Sequence, residues 1–239
     1  MTKKTRVWVF SLADLNTCAP RIRLLSPFSY FPKEEFEFVY APSLNAILRL
    51  PYLPDIIVFH RNLYRLQEIG KIIEFARRHL IKTVMEIDDL ITHVPAQHLS
   101  HPFYQKTKNF MIESFKKVDI ITVTTNRLKE YYIEYNSNIH VLPNLIDERI
   151  WTGRRGKEKP EDGRITIGYS GSPTHAYDFK KVIPALEYIS LKYADKIFFK
   201  FFGYMPDEMR AIKNVSYIPL IYLYQEYADI LMDSNLDFA

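Results

Sequence analysis

Short runs of β-branched and aromatic residues alternate with longer stretches of helical periodicity, and this alternation constrains the fold more than any other feature of the sequence. The runs are Arg6–Phe10, Phe36–Tyr40, Asp55–Phe59, Lys82–Glu86, Asp119–Val123 and His140–Leu142. Each is rich in Val, Ile or Phe without strict polar alternation, as expected of parallel strands buried on both faces. In Leu63–His79 between two of them, Leu66, Ile69, Ile72, Ile73 and Ala76 recur at three- and four-residue steps, which predicts a helix with its charges outward. Phe103–Lys117 reads the same way. Strand and helix in turn imply an α/β fold with helices on both faces of a parallel sheet.

The alternation stops at 152–164, a stretch with three glycines, one proline, eight charged residues and no apolar side chain. It predicts a linker between a first domain, 1–151, and a second, 165–239. In the second domain strands are expected at Ile165–Tyr169, Lys196–Phe202 and Ser216–Ile218, and helices at Asp178–Leu191, Pro206–Ile212 and Tyr222–Met232. Asn235–Ala239 reads as the opening of another strand, so the second unit is expected to be incomplete within these residues.

Composition narrows the class. Of 239 residues 47% are apolar and 25% charged, enough for a real core and not the make-up of a disordered chain. Cys18 is the single cysteine, which excludes a disulfide framework and points to a reducing, cytoplasmic setting. The apolar run Val7–Phe10 is too short for a signal core, and no stretch approaches the roughly 20 apolar residues of a membrane span. The net charge of +4 suits an anionic donor or peripheral contact with the inner membrane face, and equally an ordinary soluble protein. No nucleic-acid module is present: zinc-finger spacing and dense Lys/Arg runs among exposed aromatics are both missing.

In open α/β sheets ligands bind beyond the carboxyl ends of the strands, so the residues just after each strand are the candidates. They are polar: Asn16, Thr17, Arg21 and Arg23 after the first strand, His60 and Arg61 after the third, Asp88 and Asp89 after the fourth. Thr125 and Asn126 follow the fifth, Asn144 and Asp147 the sixth. Carboxylates packed at one strand end repel unless a cation, a proton or a polar substrate compensates. Glu86, Asp88 and Asp89 therefore point to hard-cation binding, to hydrogen bonding of an acceptor hydroxyl, or to a turn-capping aspartate. A three-carboxylate metal site is not expected. His93, His98 and His101 would suit a metal only if their loop wrapped around it, and are read as exposed or acceptor-side residues. In the second domain Ser170-Gly171-Ser172-Pro173-Thr174-His175 joins a strand to a helix. Small residues and hydroxyls there suit phosphate oxygens, although a plain capped turn would look similar. The loop is neither a Walker loop nor a dinucleotide-binding glycine motif.

Several segments in order resemble one superfamily. His140-Val141-Leu142-Pro143-Asn144-Leu145-Ile146-Asp147 is similar to the strand that ends the first lobe of GT4-type glycosyltransferases of the GT-B fold. Val118–Leu128 resembles the strand and helix before it. Val84–Leu90 is similar to a Glu-Ile-Asp-Asp segment of a bacterial branch, and Ile167–Ser172 with Thr174, His175, Asp178 and Phe179 fits the start of that branch's second lobe. The resemblance implies two Rossmann-like doubly wound domains. It also implies transfer of a sugar from a nucleoside diphosphate sugar to a hydroxyl of a glycan or lipid-linked acceptor, with retention and no obligatory metal or other cofactor. On that reading Asp88 and Asp89 are catalytic and Arg21, His60, Arg61 and Asn144 line the acceptor side. Gly171, Ser172, Thr174, His175 and Lys181 hold the donor, and lobe closure excludes water. Two departures stand out: Asn16–Pro20 replaces the family's glycine-rich turn, and the family's ribose-clamping acidic segment is not found up to Ala239. The alternatives are a non-catalytic or split lobe that acts as a binding or scaffold module, and a sugar-nucleotide epimerase.

Overall fold

The computed structural model describes residues 3–41, 51–61, 69–151 and 163–239. Residues 63–68 of the expected Leu63–His79 helix and nearly all of the 152–164 linker lie outside the described residues. The chain divides into two compact units, residues 1–94 with 102–147 and residues 95–101 with 148–239.

The first unit is built on six parallel strands: β1 (Thr5–Phe10), β2 (Phe36–Ala41), β3 (Ile56–His60), β4 (Lys82–Ile87), β5 (Ile120–Val123) and β6 (Ile139–Val141). Their order across the sheet is β2-β1-β3-β4-β5-β6. All six expected strands form, with ends shifted by a residue or so. Both faces are covered, and the two-residue period of a strand divides the side chains between them. Trp8, Phe10, Ile57, Phe59, Met85, Ile87, Ile121 and Val123 pack on one face with the helices Ile69–Arg78 and His101–Lys117. Val7, Val9 and Val58 pack on the other with Leu24, and Val84 borders that cluster. Leu24 comes from a helical segment, 18–28, that runs Cys18–Pro20, a π-helical turn Arg21–Leu25, then Ser26–Phe28. Periodicity did not announce this segment, because Pro20 and Pro27 break any regular apolar stripe.

The chain leaves β1 for the edge strand β2 and then crosses back over β1 to β3. The sequence therefore reverses direction between β1 and β3, and a crevice opens at their carboxyl ends.

The second unit has three parallel strands, β7 (Ile165–Ser170), β8 (Ile197–Gly203) and β9 (Val215–Pro219), in the order β7-β8-β9. Phe238 pairs in parallel with Ile167 on the free side of β7, where Gly168 N–H donates to Phe238 O at 2.8 Å. The residues expected to open another strand thus make a single parallel bridge, on the side of β7 away from β8. Phe199, Phe201, Phe179 and Met209 centre its core. The expected Asp178–Leu191 helix is broken into Ala176–Phe179 and Ile183–Lys192. Pro184 is the reason: it lacks an N–H and is tolerated only in a first helical turn, where it sits. The expected Pro206–Ile212 helix is a 3₁₀ turn, Asp207–Ala211. Within this unit Glu148–Trp151 packs on the helix Tyr224–Met232, and Trp151 Nε1 donates to Tyr224 Oη at 2.8 Å.

Candidate functional site

The carboxyl edge of the first sheet carries a cluster of buried charge. His60 ends β3 and Glu86 lies in β4, and the two are partners in the register of these neighbouring strands. They share the face that holds Val58 and Val84. His60 is 0% exposed, Glu86 3% and Arg23 7%, a depth at which an unpaired charge is very costly. Arg23, from the π-helical turn, ties the cluster together. Its Nε donates to Glu86 Oε1 at 2.6 Å, and its Nη1 donates to Leu142 O at 2.7 Å and to Asn144 Oδ1 at 3.0 Å. One side chain thus joins β1's following segment, β4 and the loop after β6.

Beside it Arg61 Nη1 donates to Asp88 Oδ1 at 2.8 Å and also pairs with Asp89. The cation that offsets the Asp88–Asp89 repulsion is therefore this arginine. Burial alone would weaken Arg61's hold on its proton; Asp88 and Asp89, with smaller contributions from Tyr104 and Glu86, outweigh it and strengthen that hold. Asp88 is largely buried, whereas Asp89 is 63% exposed. The turn that carries them is fixed from behind: fully buried Tyr132 donates its hydroxyl to Asp89 O at 2.8 Å and accepts from Ile91 N–H at 3.1 Å. Thr124 Oγ1 donates to Asp88 O at 3.3 Å.

Burial pushes the Glu86 carboxyl up to about 7, with Asp88 adding to the rise and Arg23 and Arg61 opposing it. Burial presses the His60 imidazole down to about 3, helped by Arg61 and Arg23.

Of the residues expected on the acceptor side, His60, Arg61, Asp88, Asp89 and Asn144 come together here. Arg21 does not join them, since its Nε donates to Ser26 Oγ at 3.2 Å within its own helical segment. Arg23, two residues on, takes the central place. Asp147 accepts from Tyr30 Oη at 2.8 Å. The three histidines after β4 form no cluster. His93 Nδ1 lies 2.9 Å from Thr92 Oγ1, and His98 Nδ1 accepts from Ser100 N–H at 3.1 Å. Among the described residues no group of three or more His, Cys, Asp or Glu side chains is placed to hold a metal ion.

In the second unit Gly171, Ser172, Thr174 and His175 occupy one loop at the carboxyl end of β7. Gly171 N–H donates to Phe202 O at 3.0 Å, so its amide belongs to the sheet. What the loop needs at Gly171 is the missing side chain, because a Cβ there would meet Tyr169 Oη at 2.1 Å. Gly203, at φ +82°, lets β8 end against the same loop, and a Cβ on it would lie 2.4 Å from Gly171 O. The hydroxyls of Ser172 and Thr174 are 2.5 Å apart, and His175 Nδ1 lies 3.4 Å from Asp178 Oδ2. Lys181 is exposed in the break between the two helices. The helix after the loop, Ala176–Phe179, is a single turn, so any anion recognition here rests on the hydroxyls and not on a helix dipole. Beside the loop an apolar cavity of about 310 Å³ is lined by Tyr169, His175, Phe179 and Phe201, among others.

No protein-family model matches the chain, and no curated protein matches it in sequence. Solved structures do match. A protein assigned as UDP-N-acetylglucosamine 2-epimerase from Listeria monocytogenes aligns over 96% of this chain and 72% of its own, with a TM-score of 0.57 and 12% identity. TarM aligns over 74% of this chain and 34% of its own, with a TM-score of 0.50 and 14% identity. At such identities the likeness is one of fold. Two parallel α/β units, with sheets of six and three strands, place the chain in the GT-B fold class. Among the described residues no helix is long and apolar enough to cross a membrane.

Proposed function

We propose that the protein is a nucleoside diphosphate sugar-dependent glycosyltransferase whose first unit (1–151 in the sequence division) binds the hydroxyl-bearing acceptor and whose second (165–239) binds the donor. The observation that carries this reading is the buried polar cluster Arg23–His60–Arg61–Glu86–Asp88 at the switch point of the first sheet. Stability alone does not call for such a cluster, since well-packed apolar residues usually serve a core as well as a buried ion pair does. Perturbed titratable groups gathered in a crevice mark functional sites. The fold supports the donor class, since the Listeria protein is described by a UDP-sugar. In the second unit Ser172 and Thr174 donate to diphosphate oxygens, and Lys181 adds positive charge. In the first, Asp88, its carboxylate oriented by Arg61, accepts from the attacking hydroxyl, and Asn144, placed by Arg23, contacts a neighbouring hydroxyl. Holding the reactants together and dispersing charge on the leaving diphosphate supply the rate enhancement.

A second reading, sugar-nucleotide epimerisation, draws on the Glu86–His60 couple as an acid–base pair. The two readings part on one assay. With a panel of nucleoside diphosphate sugars, a transferase releases nucleoside diphosphate only when an acceptor glycan or glycolipid is supplied, whereas an epimerase needs none. Asp88→Asn is expected to lower the acceptor-dependent rate at least tenfold with donor affinity unchanged. Equal rates in the variant and the native protein would remove Asp88 from the mechanism.

A further inference from the structure

The buried hydrogen bonds around His60 admit one consistent assignment. Ser11 Oγ donates its single proton to Ala13 O at 3.1 Å. Its remaining contact, 3.3 Å to His60 Nδ1, must then be a bond from Nδ1–H to the hydroxyl oxygen. With Nδ1 protonated, neutral His60 presents a lone pair at Nε2. That atom is buried without a partner, and so is Glu86 Oε2. The two face each other at 3.9 Å, while Glu86 Oε1 is taken by Arg23. A lone pair opposite a bare carboxylate oxygen is repulsive, and a proton on Oε2, facing Nε2 across a gap longer than a hydrogen bond, removes that repulsion.

We propose that the Glu86–His60 pair carries a single proton, held on Glu86 Oε2 beside a neutral His60, so that Glu86 is an uncharged acid in the buried cluster. The charges facing it agree. Arg23 comes from the segment after β1, Arg61 from the end of β3, and Asp88 and Asp89 from the end of β4. Asp89 is exposed and pairs with Arg61, so with Glu86 neutral the two cations are matched; with Glu86 ionised beside a neutral His60, a third carboxylate is unmatched. Burial that raises Glu86 and lowers His60 acts in the same sense.

Glu86 is then a positioning residue. Neutral, it takes a single bond from Arg23 and leaves the guanidinium to hold Leu142 O and Asn144. Ionised, it competes for that guanidinium and loosens the loop. This role deepens the proposed transferase reading and rests on it, but the proton itself is tested without any sugar nucleotide.

The test is pH-dependent urea unfolding of the first unit, followed by Trp8 fluorescence in a Trp151→Phe background. Unfolded Glu and His titrate near ~4.3 and ~6.5, so between these values the unfolded pair binds one proton, as the folded pair does. The pair then contributes no pH slope in the native protein. In Glu86→Gln the folded state holds no proton at this site while unfolded His60 binds one. Stability, relative to native, therefore rises about tenfold in the folding constant per pH unit up to pH ~6.5. In His60→Gln the folded state keeps Glu86's proton and the unfolded state does not, so relative stability falls about tenfold per unit as pH rises. Opposite slopes support a protonated Glu86 beside a neutral His60; parallel slopes, or none, overturn it. Histidine-ring ¹⁵N shifts of the native protein give a check that needs no variant at this site. His60 is expected to remain neutral, with the proton on Nδ1, from pH 5 to 8. A second proton gained near pH 6.5 would overturn the assignment.

Discussion

Arg23 and Arg61 do different work although both are arginines paired with carboxylates. Arg61 is matched by Asp88 and Asp89 at the crevice edge, where the pair stays partly wet. Arg23 is sealed in, and its partner Glu86 has no solvent to fall back on. Truncation to Glu86→Ala leaves a buried guanidinium nitrogen without its acceptor and is expected to cost about 3 kcal/mol, measured by urea unfolding of the first unit. Glu86→Gln keeps the acceptor for Arg23 and mimics the neutral acid, so near pH 7 it should cost less than half as much. Equal losses would mean that Glu86 is normally ionised. Part of this was legible in the sequence: polar residues directly after buried strands named His60, Arg61, Asp88, Asp89 and Asn144. Which arginine after β1 turns inward was not, because Arg21 and Arg23 are told apart only by the π-helical turn. Glu86 could have been grouped with Asp88, since period two places both on one side of the strand, whereas its neighbour His60 is added only by pairing register.

At the scale of elements, the second unit's loop depends on two glycines for different reasons. Gly171 makes room for the Tyr169 ring, whose tip can shift. Gly203 combines a left-handed backbone with backbone 2.4 Å from any Cβ, and neither can yield cheaply. Gly203→Ala is therefore expected to destabilise this unit by roughly 1–3 kcal/mol, read by thermal unfolding, and to weaken donor binding through the displaced loop. Thr174→Ala removes one hydroxyl without touching the sheet. Its expected effect is roughly tenfold weaker nucleotide-sugar binding by calorimetry with no change in melting temperature. Strands were easy to read because apolar β-branched runs buried on both faces leave a plain signature. Helices in this unit were harder. Pro184 was visible in the sequence, yet an apolar pattern continues across it from Phe179 through Val182 to Leu186, and the break appears only when the chain is built.

For the whole molecule, the α/β class follows from reading strands and connections in order, whereas the GT-B class was legible only through the resemblance of segments such as His140–Asp147. The first sheet reverses direction at β1, and polar residues gather at the carboxyl ends of β3 and β4 there and of β7 in the second unit. Sugar, nucleotide and acceptor identity were not legible, since hydroxyls and carboxylates in such loops recognise many polyols. The central claim is acceptor-dependent sugar transfer, and the most direct measurement is nucleoside diphosphate release from a panel of sugar nucleotides, with and without glycan and glycolipid acceptors. The account predicts release that requires an acceptor, is matched mole for mole by glycosylated product, and falls at least tenfold in Asp88→Asn. Conversion of the sugar nucleotide to an isomer without acceptor and without net release of nucleoside diphosphate would contradict it.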